Sequence, residues 1–180
     1  MLFRSEDRNE GFLQGVLVAP VSQLGLVLGK VSGGALIALI QGIFFLSLAP
    51  LAGFSLSLIS LFQVVLAVAV TSLCLTTLGF IFAWRLDSIQ GFHSIMNLFL
   101  MPMWLLSGAF FPAHRAPWFL KLVIYLNPLT YGFSAIQVAL KSENLSSSVL
   151  GYSSALGVEL LFVAVLLLIA IRVVSDRKKG

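Results

Sequence analysis

The hydrophobic positions of this chain form long runs instead of alternating with polar ones. No Asp, Glu, Lys or Arg occurs in residues 31–84 or 88–114, and Glu159 is the only one in residues 144–171. A helix of a soluble protein carries a polar face, and these runs provide none. A helix needs about 20 apolar residues to cross a bilayer. The pattern therefore predicts an all-α, polytopic helical membrane protein.

Turn-forming residues divide the runs into segments. The run over residues 31–84 is too long for one crossing, and Pro50, Gly53 and Ser55 interrupt it. We predict a single transmembrane domain of about four transmembrane helices, three of them within residues 31–111. The spans are expected at about 31–49, 57–83, 93–111 and 154–172, followed by a tail at 173–180.

Residues 112–153 predict a helical hairpin and a loop. Two apolar pieces, 117–126 and 128–140, would each reach only about 15–20 Å as helices, which is too short for a hydrocarbon core of about 30 Å. Asn127 and Pro128 are typical of a helix cap and a first helical position, and a cap role predicts that Asn127→Asp is milder than Asn127→Ala. We predict a re-entrant hairpin in the outer leaflet; the alternative is a pair of helices lying flat on the surface.

The first 30 residues predict a cytoplasmic segment with a short amphipathic helix. Asn9 can cap this helix and Pro20 closes it, and one face is apolar. That face holds Phe12, Leu13, Val16 and Leu17. From physical chemistry alone the helix either lies on lipid or docks on a partner. Ser22 is expected to cap the next helix, which runs through Lys30 into the first span.

Basic residues set the orientation. With the amino terminus in the cytoplasm, the inner segments hold eight of the Lys and Arg residues and the outer segments hold three: Arg115, Lys121 and Lys141. The positive-inside rule favours this arrangement, with both termini cytoplasmic. The net charge of +4 is explained by this asymmetry. We therefore expect membrane lipid and not nucleic acid as the surrounding partner, and the plasma membrane, such as a prokaryotic inner membrane, as the location.

Residues for bond chemistry are not grouped in the sequence, so no catalytic, metal or cofactor-binding residue is predicted. His93 and His114 fall on opposite sides of the predicted membrane, and Cys74 is the only cysteine. Gly25, Gly29 and Lys30 lack the spacing of a phosphate-binding loop. The Gly29–Gly33 spacing is a weak signal for close helix packing. An ATP-driven action would therefore require a separate subunit.

Glu159 is the one acid well inside a predicted span. Charges within a membrane are costly and often functional. Two interpretations stay open: a functional role, or a position at the outer interface, about five residues from the end of the span.

Three sequence elements resemble one family. Residues 97–112 read NLFLMPMWLLSGAFFP, Pro117-Trp118 follows, and residues 127–137 read NPLTYGFSAIQ. In this order and spacing they resemble the membrane domain of type-2 ATP-binding-cassette (ABC) exporters. Glu10-Gly11, Leu13, Pro20 and Gly29-Lys30 are similar to the cytoplasmic loop of that family, which carries the coupling helix.

The resemblance implies a permease subunit that moves a drug, a lipid or a polysaccharide outward and performs no bond chemistry. Two ABC ATPase subunits and a second permease, identical or different, would be its partners. A coupling helix formed by Glu10, Gly11, Leu13, Val16 and Leu17 would dock on the ATPase. Asn127, Pro128 and Tyr131 would shape an outer gate, with the Tyr131 ring packed inward and its hydroxyl reaching the interface.

Two departures accompany the resemblance. The family usually has six spans, and the pattern here gives four, so the family's first span and most of its second would precede Met1. The acid and arginine that often follow in the hairpin are replaced by Ser134 and Gln137. A structural or assembly protein without transport activity is the main alternative. An intramembrane enzyme is disfavoured because no His or paired acids lie deep in a span.

The charge asymmetry generates a prediction about topology. Single cysteines at Ser147 and Ser175, in a Cys74→Ser background, are treated in intact cells with a thiol reagent that cannot cross the membrane. We expect labelling at residue 147 and none at residue 175, because only the former lies outside. The reverse result would overturn the orientation.

Overall fold

The computed structural model describes residues 22–54, 56–86, 88–110, 116–140 and 150–177. This part of the chain is helical, without strands, which confirms the predicted fold class of a polytopic helical membrane protein. A 3-10 turn, Ala49–Ala52, lies between the first two helices. The helices are α1 (Gln23–Leu46), α2 (Leu58–Arg85), α3 (Ile89–Leu105), α4 (Trp118–Leu126), α5 (Pro128–Ala139) and α6 (Tyr152–Arg177).

Serine side chains begin the first three helices. Ser22, Ser57 and Ser88 each accept a hydrogen bond from the backbone N–H three residues further on, at 3.0–3.1 Å. A serine at this position satisfies one of the N–H groups that the first turn leaves without a partner. The predicted cap at Ser22 is confirmed, and its helix continues through Lys30 as expected.

Within the described residues, three single helical segments are long and apolar enough to cross a membrane. They are Gln23–Leu51, which adds the 3-10 turn to α1, then α2, and Tyr152–Ser175 of α6. The predicted spans at 31–49 and 154–172 lie within them, the span at 57–83 starts one residue before α2, and all three are confirmed as helices.

The predicted bounds of the remaining span, 93–111, are wrong. The Ser88 cap starts α3 four residues earlier, and the helix ends at Leu105. Gly108, at φ 95°, turns the chain away in the left-handed conformation that glycine favours. With 17 residues α3 is about 25 Å long, near the lower limit for a crossing.

Helices α2 and α6 form the centre of the fold and run in the same direction. Near their starts, the Tyr152 hydroxyl donates a hydrogen bond to the Gln63 carbonyl at 2.9 Å. Near their ends, Trp84 and Val174 belong to one buried cluster. Helix α1 packs on both, and α5 packs on both.

The direction of α6 bears on how the bent pair α4–α5 lies in the membrane. The two helices meet at an angle of 81° across Asn127. If α3 crosses once after α2, the chain returns to the side on which α2 began, and α6 starts on that same side. The bent pair therefore enters and leaves on one side, which agrees with the predicted re-entrant hairpin and its two pieces at 117–126 and 128–140.

Two buried clusters hold the helices together. The first joins α2, α5 and α6 and includes Ala67, Val70, Cys74, Ala135, Ala155, Leu156 and Val163. The second joins α1, α2 and α6 and includes Val27, Val31, Trp84, Ala170, Val173 and Val174. Small residues dominate the first cluster, so α5 lies close to both neighbours. In lipid, such close van der Waals packing is a main source of helix association.

Helices α1 and α2 approach closely at two glycines. A Cβ built on Gly34 would lie 2.8 Å from Thr76 Cγ2, and one on Gly42 would lie 2.6 Å from Val68 Cγ1. Gly29 and Gly33, which form the G-x-x-x-G spacing, have open space within the chain. The close packing expected at Gly29 and Gly33 is therefore not found within the chain; the close approaches are at Gly34, next to Gly33, and at Gly42.

The adjacent glycines provide a matched test of this packing. Gly34→Val should destabilise the fold by about 1–3 kcal/mol, because a larger side chain forces α1 away from α2. Gly33→Val should have little effect on the isolated chain. Thermal unfolding in detergent micelles measures both. Equal midpoints for the two variants would contradict the proposed α1–α2 contact.

Candidate functional site at the bent helix pair

The bend between α4 and α5 leaves backbone groups without helical partners. The last four carbonyls of α4 and the first N–H groups of α5 lose their regular hydrogen bonds at such a break. Lipid offers no replacement for water as a partner, so these groups must be satisfied by protein. The side chains that do so define the geometry of the site.

Asn127 pairs one backbone group at the start of α5 and one near the end of α3. Its Oδ1 accepts a hydrogen bond from the Leu129 N–H at 3.0 Å, and Pro128 occupies the first helical position. The predicted cap is therefore confirmed. Its Nδ2 donates to the Met103 carbonyl, near the end of α3, at 2.7 Å. Asn127 is buried, and it joins α3 to α5 as well as capping α5.

Thr130 and Tyr131 satisfy the end of α4. The Thr130 hydroxyl donates to the Ile124 carbonyl at 2.9 Å, and the Tyr131 hydroxyl donates to the Tyr125 carbonyl at 2.7 Å. The Tyr131 ring packs on Phe162 of α6, with ring centroids 5.9 Å apart. The inward packing of the ring agrees with the expectation, and the reach of the hydroxyl to the interface stays a prediction. The hydroxyl holds the end of α4, where an unpaired carbonyl would otherwise remain.

Together Asn127, Thr130 and Tyr131 form what we call the polar joint. It connects the end of α3, the end of α4, the start of α5 and the middle of α6 through side chains that are all buried. The joint contains no group suited to bond-breaking chemistry. Its arrangement fixes the angle between two short helices.

A second polar contact, separate from the polar joint, lies between α2, α5 and α6. The Thr71 hydroxyl donates to Glu159 Oε1 at 2.7 Å, and Glu159 is fully buried. A Cβ built on Gly132 of α5 would lie 2.5 Å from the same oxygen. Thr71 is at the midpoint of α2, which favours a position well inside the span over the interfacial position that was considered for Glu159. Glu159 Oε2 has no hydrogen-bond partner among the described residues.

Helix α3 presents an open groove on the side away from α2. The groove has a volume of about 560 Å³ and is lined mainly by apolar side chains, with Ser94 and Asn97 as its polar members. Met101, Leu98 and Trp104 are exposed on this helix. Beyond its link to the joint, α3 makes few contacts with the other helices.

The other predicted site residues cannot be placed. Glu10, Gly11, Leu13, Val16 and Leu17 lie outside the described residues, so the coupling helix stays a prediction. In the described part, no three His, Cys, Asp or Glu side chains are arranged to hold a metal ion.

Sequence reasoning missed Thr130 and the contact of Thr71 with Gly132. The signal for Thr130 was its place as a polar residue between Asn127 and Tyr131 in an apolar segment. No local signal marks Thr71, because a threonine inside a span also bonds readily to its own helix, as Thr77 does to the Leu73 carbonyl.

Comparison with known proteins identifies the family. Residues 4–141 match the family model described as ABC-2 type transporter, which is more than half of the chain. The chain belongs to the ABC-2 type transporter family. The match contains the polar joint and the segment predicted to form the coupling helix. No solved structure matches the chain.

This ABC-2 family member is also similar to a curated protein. The chain is 31% identical over 145 residues to the "Putative transport permease ycf38" of Pyropia yezoensis, covering 77% of this chain and 48% of the relative. The chain thus spans about half the length of the curated relative it matches.

The double role of Asn127 changes the expected ranking of its variants. Asn127→Ala loses the cap, which costs about 0.5–2 kcal/mol, and leaves the Met103 carbonyl unpaired, which costs about 1–3 kcal/mol. Asn127→Asp keeps the cap but places a carboxylate oxygen against that carbonyl. We therefore expect aspartate to be at least as destabilising as alanine, contrary to expectation from capping alone.

Thermal unfolding of the purified chain in lipid nanodiscs measures the effect. Asn97→Ala is the matched control, because Asn97 is an exposed asparagine on α3. Stability close to the unchanged protein for Asn127→Asp would mean that the bond to Met103 contributes little.

Proposed function

We propose that this chain is the permease subunit of an ATP-driven ABC exporter that moves a drug, a lipid or a polysaccharide outward. The observation that carries the proposal is the family match over residues 4–141. The similarity to the "Putative transport permease ycf38" of Pyropia yezoensis supports it. In this proposal a second permease and two ATPase subunits complete the transporter, in the plasma membrane with both termini cytoplasmic.

The bent pair supports a role as the outer gate. A gate must exclude water and ions in one state without exposing backbone groups to lipid, and the polar joint meets the second requirement at the bend. In the proposal Asn127, Pro128 and Tyr131 keep α4 and α5 at a fixed angle, so that the pair moves as a unit and does not unravel.

The α3 groove is the proposed wall of the transport path. It is open, mainly apolar and offers Ser94 and Asn97 as hydrogen-bonding groups. Such a lining suits an amphipathic cargo with a polar end, as binding sites for small molecules usually combine apolar walls with a few polar groups. Lipids and lipophilic drugs therefore fit the groove better than a polysaccharide does.

The ATPase is proposed to act through residues 10–17. Its closure on ATP would press on the apolar face of Leu13, Val16 and Leu17, and α1, which begins shortly after this segment, would carry the movement to α2 and α6, on which it packs. The permease itself supplies binding surfaces and motion, and the ATPase supplies the free energy.

Substitution of the docking face tests the proposal. Leu13→Asp and Leu17→Asp should abolish co-purification with the ATPase, since a charge buried in an apolar contact costs several kcal/mol. Gln14→Asp, which lies off this face, should leave it intact. Efflux of an NBD-labelled phospholipid from vesicles should fail with the first two variants at matched membrane levels.

Two results would count against the function. If the ATPase co-purifies in normal yield with Leu13→Asp, the docking face is elsewhere. If no ATPase accompanies even the unchanged chain, a structural or assembly role without transport becomes the better account.

A further inference from the structure

Helix α5 is the anchored part of the bent pair, and α4 is the loose part. Helix α5 packs extensively on α2 and α6, whereas the main contact of α4 is with α5. The buried residues show the same difference: six positions of α5 are buried, against Ile124 alone in α4. Whatever fixes α5 therefore fixes the position of the whole pair.

The closest approach of α5 to its neighbours occurs at Gly132. A side chain here is excluded from two directions, because a Cβ would lie 2.5 Å from Glu159 Oε1 and closer still to Thr71 Oγ1. Contacts under 3.0 Å are essentially never seen for real Cβ atoms. The α5 backbone thus rests directly on the hydrogen-bonded pair formed by α2 and α6.

Glu159 does more in this arrangement than fill space between the helices. It is fully buried, its Oε1 is the acceptor for Thr71, and its Oε2 is unpaired in the described structure. An apolar residue of similar size would avoid the unfavourable burial of that second oxygen. A costly group at this position is therefore explained only if the Thr71 bond, or the carboxyl itself, has a use.

We propose that Glu159 is the positioning residue of the bent pair. By accepting the Thr71 hydrogen bond it holds α2 and α6 together. The Thr71–Glu159 pair is then the seat, the surface against which Gly132 of α5 packs. This rests on the proposed function, in which the bent pair is the outer gate. The seat holds α5 together with α2 and α6 as one body. Because the polar joint keeps α4 at a fixed angle to α5, gate opening is then a movement of the whole bent pair together with α2 and α6.

The chain contains its own reporter of the seat. Cys74 is the only cysteine, lies one turn beyond Thr71 on α2, and is buried in the cluster that includes Ala135 of α5. Lifting α5 from the seat would uncover Cys74. The rate at which N-ethylmaleimide labels it in proteoliposomes therefore measures seating without any engineered label.

Three matched pairs separate the seat from other effects. Glu159→Met removes the acceptor, whereas Glu159→Gln keeps an oxygen for Thr71; both remove the ionisable carboxyl group, so the two variants do not differ in charge near the thiol. Thr71→Val removes the hydroxyl, whereas Thr71→Ser keeps it. Gly132→Ala intrudes on the seat, whereas Gly157→Ala, also on a helix of this core, meets nothing within 4 Å.

We expect the first member of each pair to label about tenfold faster than the second, as loss of one buried hydrogen bond or contact raises the population of a local opening. NBD-phospholipid efflux should fall in the same three variants while ATPase co-purification is unchanged, and Glu159→Gln should restore both readouts. Thr71→Val is nearly isosteric, so it tests the seat even if Gly132→Ala fails to fold.

Two outcomes would overturn the proposal. Protection of Cys74 in Glu159→Met and Thr71→Val equal to that in their partners would mean that no seat exists. Loss of efflux in Glu159→Gln with Cys74 still protected would mean that the carboxyl acts as an ionisable group, by binding a proton or cation, and not by positioning. Because labelling is read without transport, failure of the exporter function leaves the test of the seat intact.

Discussion

A broken helix in lipid must find a partner for every backbone group that the break exposes, and this constraint organises the structure. Water would satisfy such groups in a soluble protein, but the hydrocarbon core cannot. The chain meets the constraint at the α4–α5 bend with three side chains from five consecutive residues. Asn127 serves the start of α5 and the end of α3, while Thr130 and Tyr131 serve the end of α4. The chain can bend here because these three side chains pair backbone groups that the break would otherwise leave exposed.

Features that depend on local signals could be predicted from the sequence. Span positions follow from long apolar runs, and the start of α1 follows from the Ser22 cap; both are local signals, and so α1, α2 and α6 were confirmed as helices. The Asn127-Pro128 start of α5 is also local. The end of α3 was misjudged because the apolar run continues to residue 111, whereas the chain already turns at Ser107-Gly108.

The parts that escaped prediction depend on contacts between distant segments. Thr71 and Glu159 are 88 residues apart, and their bond depends on α2 and α6 running in the same direction. The second bond of Asn127 likewise requires the end of α3 to lie beside the bend, 24 residues back along the chain. Residue type alone indicated that Glu159 and Asn127 were unusual, but only the packing of helices shows what each one contacts.

The order of the chain gives the Gly132 contact a consequence for biosynthesis. A ribosome delivers α4 and α5 before α6, yet α5 rests on Glu159, which belongs to α6. Until α6 is made, α5 lacks one of the two helices on which it packs. The bent pair can therefore reach its final packing only after the last helix has been made.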